Sequence, residues 1–187
     1  MEPQDLDPPD RIRPLRWAVL VLLAVGFAAC IAKGANEPPD PRLVESRIEG
    51  FSEIGVQIQR GGELPSTTER CALLAATERQ RARGLMEVTD LEGYVGMVFR
   101  FSVDSQGGFY MRNTPMPLSI AFFAADGRFV SAVDMAPCED GPNCPIYSAA
   151  APYRYALEVP QGKLGELGVG PGSTLVLSGA CPDSGRP

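Results

Sequence analysis

The stretch FYMRNTPMPL, residues 109–118, combines residue types that rarely serve one purpose. Arg112 and Asn113 offer a guanidinium fork and an amide, which are suited to hold a carboxylate, a sugar or a peptide at the edge of an apolar pocket. In an alternative interpretation the stretch ends a strand: Asn113 and Thr114 hydrogen-bond nearby backbone, and the following proline stops the strand. Met111 would then fill the core.

Four cysteines are placed to form disulfides. Cys138 and Cys144 flank the turn-rich stretch EDGPN, while Cys71 and Cys181 lie near the first and last strands expected of the domain. In an oxidising compartment we expect the pairs Cys138–Cys144 and Cys71–Cys181. A nucleophilic role for Cys144 is the alternative, but the chain offers no obvious base to generate its thiolate.

Two other kinds of site are compatible with the sequence. Asp134, Glu139 and Asp140 lie near the cysteine loop, and two carboxylates held roughly 5–9 Å apart can hydrolyse a glycoside. Acidic residues near a turn are more often simply solvated. Thioethers together with cysteine select Cu(I), although methionine equally packs irregular β cores. The methionines in or beside the motifs are Met86, Met97, Met111, Met116 and Met135.

The composition excludes several classes of function. The chain contains no histidine, so neither a histidine-dependent catalytic pair nor an imidazole metal site can form. The formal net charge of -6 argues against a nucleic-acid partner, which requires a basic patch. We therefore expect no cofactor and no metal site, with copper kept as the alternative described above.

The first 50 residues predict how the domain is attached. Residues 1–16 are interpreted as a cytoplasmic tail, whose three arginines place the N-terminus inside. Residues 17–32, WAVLVLLAVGFAACIA, are uninterruptedly apolar and are interpreted as a signal or membrane anchor. Their length lies between a signal-peptide core of roughly 7–15 residues and a spanning helix of about 20. The proline-rich residues 33–50 predict an extended linker.

Cys30 raises the question of lipidation. It follows the stretch GFAA, like the lipid-modified cysteine of a lipoprotein, although Phe27 stands where leucine is usual. Lipidation, an uncleaved single-pass anchor and ordinary cleavage with secretion all stay open. Each of them places the domain outside the cytoplasmic membrane.

Short β patterns separate these stretches. Two apolar runs around Asp126-Gly127, within residues 118–133, predict a tight hairpin. Thr77 and Gln80 have capping-box spacing, so residues 77–84 predict a helix that ends at a glycine. Residues 161–168 are a second helix candidate. Further strands are expected at residues 52–59, 68–76, 96–101, 108–111, 153–159 and 173–179.

These elements predict a mainly β fold class. We expect a compact antiparallel barrel or sandwich with one or two short helices over residues 51–181, preceded by an N-terminal hydrophobic helix. Residues 182–187 are interpreted as a tail.

Five stretches together resemble the bacterial family catalogued as domain of unknown function 192. The resemblance covers about residues 54–178 and implies a mainly β domain, often secreted or membrane-tethered, with no established activity. The family's aromatic-Met-basic-Asn-Thr motif falls on residues 110–114, with Tyr110 where tryptophan is usual, and a second motif includes Cys144, Tyr147 and Ser148. The five stretches are ERQRARGLM (78–86), GMVFRF (96–101), FYMRNTPMPLSIAFFAADGRFV (109–130), CPIYS (144–148) and YRYALEVPQG (153–162).

The expected function is a non-catalytic binding or interaction module of the bacterial envelope, tethered to the membrane through its N-terminal segment. Its partner would be an unknown small molecule or an envelope component. A cell-envelope hydrolase that uses carboxylates and a copper-handling protein are the alternatives. The expected groove around the FYMRNT motif is lined by Met86, Tyr110, Met111, Arg112, Asn113, Thr114 and Tyr147.

Overall fold

The computed structural model describes residues 44–61, 69–179 and 181. The predicted anchor at residues 17–32, Cys30 and the C-terminal tail at residues 182–187 lie outside this part. Within it, no helix has the length and apolarity needed to cross a membrane.

Eight strands and one short helix make up the described part of the chain. Helix α1 spans Glu78–Arg83. The strands are β1 (Val44–Glu45), β2 (Ser52–Arg60), β3 (Arg70–Ala75), β4 (Met97–Ser105), β5 (Leu118–Phe123), β6 (Phe129–Met135), β7 (Tyr153–Pro160) and β8 (Ser173–Ser178).

The strands form one curled, mixed sheet. Their order is β1-β2-β3-β4-β7-β5-β6, and β8 pairs with β2. The amide of Leu175 on β8 donates to the carbonyl of Gly127 in the β5–β6 turn at 2.8 Å, so the sheet curls into a half-barrel. The mainly β prediction is confirmed.

The prediction of a purely antiparallel sheet is wrong, because β3 and β4 are parallel. The connection between them contains α1 and is long enough to return the chain to the same end of the sheet, as a parallel pair requires. Strand β1 lies within residues 33–50, where an extended linker was expected, and it pairs antiparallel with β2.

Local signals predicted α1 and the hairpin correctly. The Thr77 side chain accepts from the Gln80 amide while the Gln80 side chain accepts from the Thr77 amide, which is the predicted capping box. Strands β5 and β6 pair around Asp126 and Gly127, and Gly127 has φ 81°.

Two predicted elements are replaced by other structure. Residues 161–168 form turns instead of a helix, and Gly168 at φ 82° marks the end of these turns; the glycines make a continued helix unfavourable. Residues 108–111 form no strand. Phe109 forms an isolated bridge to Tyr147, and the next residue after the predicted strand, Arg112, forms one to Cys138.

Alternate residues of the central strands belong to two apolar clusters, and β5 is buried on both faces. The face that we call the site face is covered by the turn after α1 and by the loop that carries the FYMRNT motif, through the buried side chains of Leu85 and Met111. The site face includes Leu73, Leu85, Phe99, Met111, Ile120 and Ala156. The opposite face includes Ile54, Leu74, Val98, Ala121, Leu157 and Leu175.

The four cysteines form the two pairs expected from the sequence. Cys71 on β3 is joined to Cys181, with Cα atoms 5.2 Å apart. Cys138 is joined to Cys144, with Cα atoms 5.8 Å apart, and this bridge closes the loop above the site face. Cys144 is therefore bonded to Cys138 in this structure and is not a free thiol.

Candidate functional site

Glu158 on β7 places a carboxyl group inside the apolar cluster of the site face. Its neighbours across the sheet are Met97 of β4 and Ile120 of β5, both fully buried. Glu158 is only 4% exposed, and no hydrogen bond or ion pair from a described residue reaches its carboxyl. Burial raises the pKa of Glu158 from 4.5 to about 8, because the charged form loses its hydration without gaining a partner.

Glu158 lines a pocket of ≈ 270 Å³ on the site face. A register shift between Arg100 and Ser105 interrupts the pairing of β4 with β7 beside it. The other lining residues come from α1 and the turn after it, from β4, from the loop after β4 and from the start of β7. They are Glu78, Arg81, Ala82, Arg83, Gly84, Leu85, Met86, Phe99, Phe101, Ser105, Gly107, Gly108, Phe109, Tyr110, Thr114 and Tyr153.

Aromatic side chains form much of the pocket wall. The rings of Phe99 and Phe109 meet edge to face at 4.9 Å. The Tyr153 hydroxyl donates to the Gly107 carbonyl at 2.7 Å and so ties β7 to the loop after β4. Burial raises the pKa of Tyr153, so its hydroxyl stays protonated and remains a donor at neutral pH.

Helix α1 contributes three charged residues to the lining of the pocket, and the guanidiniums of its two arginines already have partners. Arg81 donates to the Arg100 carbonyl at 3.0 Å, and Arg83 donates to the Glu49 carbonyl at 2.7 Å. Glu78 is exposed. None of these groups perturbs the pKa of Glu158, for which burial is the sole cause.

The residues predicted to line one groove lie in different places in the structure. Met86, Tyr110 and Thr114 line the Glu158 pocket. Met111 is 1% exposed and packs within the core of the site face. Tyr147 packs beside that core, and its hydroxyl accepts from the Ala136 amide at 3.1 Å.

Arg112 and Asn113 lie outside the Glu158 pocket. The Arg112 Nε atom lies 3.3 Å from an Asp140 carboxylate oxygen, although the geometry does not make this contact a hydrogen bond. Its guanidinium also lies 5.4 Å from the Tyr110 ring centroid. Asn113 adopts a turn conformation with φ 53°, and its backbone amide donates to the Cys138 carbonyl. It lines a separate, open concavity of ≈ 710 Å³.

The carboxylates considered for hydrolysis do not meet in the Glu158 pocket. Asp134 accepts a hydrogen bond from Ser119, while Glu139 and Asp140 line the open concavity beside Asn113. In the pocket itself, the carboxyl groups of the described residues are those of Glu158 and Glu78.

Three of the five methionines considered for a soft metal lie in the core, whereas Met86 lines the pocket and Met116 is partly buried. Met97, Met111 and Met135 are fully buried among apolar side chains of the site face. In the described part of the chain, one cluster of cysteine and carboxylate side chains is close enough to hold a metal ion, and it consists of Glu53, Cys71 and Cys181. The sulfurs of these cysteines are bonded to each other.

Glu158 was missed by the sequence analysis. The alternation in YRYALEV assigns it to the polar face of its strand, together with Arg154 and Ala156. The sequence signal that could have identified it is the apolar residue Ala156, which shares that face with Arg154 and Glu158. The structure shows that Ala156 is fully buried. Once both faces of β7 are buried, the carboxyl has no solvated side to occupy.

Comparison with known proteins shows one family and two similar folds. The sequence model of the family DUF192, described as "Uncharacterized ACR", matches residues 57–177. A proposed transcription regulator from Sinorhizobium meliloti 1021 is 26% identical, with 70% of this chain and 97% of that chain covered and a TM-score of 0.59. A protein of unknown function from Novosphingobium aromaticivorans DSM 12444 is 24% identical, with 75% and 99% covered and a TM-score of 0.60. No curated protein matches.

Proposed function

This chain belongs to the DUF192 family, and we propose that it is a non-catalytic binding module outside the cytoplasmic membrane whose ligand occupies the Glu158 pocket. The proposed ligand site therefore overlaps only in part with the groove expected around the FYMRNT motif. Met86, Tyr110 and Thr114 contribute to it, whereas Arg112 and Asn113 hold the neighbouring loop in place.

The unpartnered, buried carboxyl of Glu158 carries this proposal. Burying a carboxyl without hydrogen bonds costs several kcal/mol when it ionises, and an apolar residue on β7 would avoid that cost. Strongly perturbed carboxyls that line a concave pocket are concentrated at functional sites. Fixed aromatic walls and a preformed volume of ≈ 270 Å³ suit a small organic ligand.

Two observations support the extracytoplasmic setting. Disulfides persist in oxidising compartments, and this domain has one across its sheet and one in the loop above the site face. The apolar run at residues 17–32, preceded by arginines, supports a tether with the domain on the outer side. The acidic net charge of -6 does not favour a role on DNA for this chain.

Native mass spectrometry tests this function. The full chain, exported in a bacterial host and purified in detergent, is expected to retain a small-molecule adduct. Glu158→Gln should lose the adduct, and Glu166→Gln, which changes an exposed carboxylate paired with Lys163, should keep it. A wild-type protein without an adduct, or an adduct that survives Glu158→Gln, would contradict the proposal.

A hydrolase is the second candidate, and one observation favours it. A carboxyl whose pKa is raised to about 8 is protonated at neutral pH, as the general acid of a glycosidase must be. Glu78 would be the second carboxylate in the same pocket. Release of soluble fragments from purified cell-wall polymer by the wild type, and none by Glu158→Gln, would favour the enzyme over the binding module.

A further inference from the structure

Glu158 lines the pocket with a carboxyl that no described residue neutralises. Glu158 lies between Met97 and Ile120, which have no polar side-chain atoms that could donate a hydrogen bond. A buried carboxylate is stable only when it is paired with a cation or fully hydrogen-bonded. In the described part of the chain neither kind of partner is present for Glu158.

The pocket wall supplies the second half of a cation site. Five of its lining residues are aromatic, namely Phe99, Phe101, Phe109, Tyr110 and Tyr153. The ring faces of aromatic side chains attract ammonium groups, most strongly when water is excluded. The guanidiniums of Arg81 and Arg112 already lie 4.9 Å and 5.4 Å from the ring centroids of Phe101 and Tyr110, which leaves Phe99, Phe109 and Tyr153 for a ligand. A pocket that combines these rings with the Glu158 carboxyl offers more to a positive group than to a neutral or negative one.

We propose that the pocket binds its ligand through an ammonium group, which lies against the Glu158 carboxyl among these aromatic side chains. This inference rests on the proposed binding function and names the chemical class of its ligand, a small organic amine. The amine forms charge-assisted hydrogen bonds to the carboxylate, and the organic body of the ligand contacts the apolar wall.

The other charged groups around the pocket are compatible with this assignment. On α1, Arg81 and Arg83 direct their guanidiniums to backbone carbonyls, and Glu78 adds a negative charge at the rim. Burial raises the pKa of Tyr153, so its hydroxyl is neutral at physiological pH. Strands β4 and β5 add no titratable side chain at the positions opposite Glu158.

Binding of an ammonium ion must ionise Glu158. Because burial raises its pKa to about 8, the empty pocket holds a neutral carboxyl at pH 6–7. The bound cation favours the carboxylate, so binding expels a proton. Below the pKa of the free protein, the affinity should therefore rise about tenfold for each unit by which the pH increases.

Three probes with one apolar body and different head groups test this chemistry. Benzylammonium, benzyl alcohol and benzoate are titrated into the full chain by calorimetry between pH 6 and pH 8, where the amine of benzylammonium stays protonated. We expect benzylammonium to bind at least tenfold more tightly than benzyl alcohol at pH 8, with an affinity that falls about tenfold per pH unit on acidification. Benzoate should bind most weakly.

Variants connect the effect to Glu158. Glu158→Gln preserves shape and carries no charge, so it should weaken benzylammonium binding at least tenfold at pH 8 and abolish the pH dependence. Glu166→Gln should behave as the wild type. Circular dichroism of each variant checks that it is folded.

The inference is overturned if benzylammonium binds no better than the other probes, if none of the three binds, or if Glu158→Gln leaves its affinity unchanged. These outcomes are distinguishable from failure of the proposed function. A neutral or anionic native adduct that depends on Glu158 would keep the binding function and exclude the ammonium class. Absence of any Glu158-dependent adduct would remove the function itself.

Discussion

Glu158 on β7 is paired directly with Met97 on β4, so a carboxyl group lies beside a fully buried thioether in the centre of the sheet. This arrangement lowers stability whenever the carboxyl is charged. The site therefore makes the stability of the fold depend on pH in a direction opposite to that of most carboxylates.

The free energy of unfolding should fall as pH rises from about 5 to 8. The pKa of Glu158 is raised from 4.5 to about 8 in the folded protein, so over this range the folded state keeps a proton that the unfolded state releases. The loss is up to about 1.4 kcal/mol per pH unit. Urea denaturation at several pH values measures it. Glu158→Gln should remove this dependence and Glu166→Gln should retain it; equal slopes for Glu158→Gln and the wild type would refute the buried, unpartnered carboxyl.

Gly96→Ala should disrupt the strand pairing under the pocket. A Cβ atom at Gly96 would lie 1.9 Å from the backbone oxygen of Glu158, a distance that forces β4 and β7 apart. We expect a loss of more than about 4 kcal/mol in the free energy of unfolding, or failure to fold. Gly165→Ala is the control, because nothing lies within 4 Å of its Cβ position. Similar thermal stability of the two variants would contradict the close approach.

Tyr153→Phe should loosen the loop that forms one pocket wall. The change removes the donor to the Gly107 carbonyl and should cost about 1–2 kcal/mol. Hydrogen exchange should become faster at the amides of residues 106–110. Tyr155→Phe is a matched control on the same strand, since the Tyr155 hydroxyl makes no hydrogen bond to a described residue. Unchanged exchange in Tyr153→Phe would show that this hydroxyl does not fix the loop.

The two disulfides should differ in their contribution to stability. The bridged cysteines are 110 positions apart for Cys71–Cys181 and 6 apart for Cys138–Cys144. Loop-closure entropy predicts about 5 kcal/mol for the long loop and about 2 kcal/mol for the short one. Urea denaturation of the two double alanine variants compares them. A larger loss for the short loop would mean that it holds structure beyond its own closure.

Arg112→Ala separates the two concave surfaces. Arg112 pairs with an exposed Asp140 and does not line the Glu158 pocket, so the loss of stability should be below about 1 kcal/mol. The native adduct and the affinity for benzylammonium should both be retained. Loss of the adduct in Arg112→Ala, with the protein still folded, would instead place the ligand at the FYMRNT motif.

Several elements could be predicted because their causes are local. The capping box at Thr77 and Gln80 and the hairpin around Asp126-Gly127 are confirmed, since each depends on backbone groups within a few residues. The cysteine pairs could also be anticipated, because Cys138 and Cys144 flank a turn. The prediction of a helix at residues 161–168 was wrong because it did not account for the conformational cost of the glycines in that stretch.

The amino-acid sequence alone was sufficient for the family, the mainly β class and the oxidised pairs, because motifs, alternation and cysteine positions are properties of the chain itself. The parallel β3–β4 pair, the separation of Arg112 from the pocket and the placement of Glu158 came only with the tertiary structure. Alternation shows which side chains share a face of a strand, but not whether that face meets water. Here the turn after α1 and the motif loop cover the face that carries Glu158, and this long-range packing buries a glutamate that the alternation pattern assigns to a solvated face.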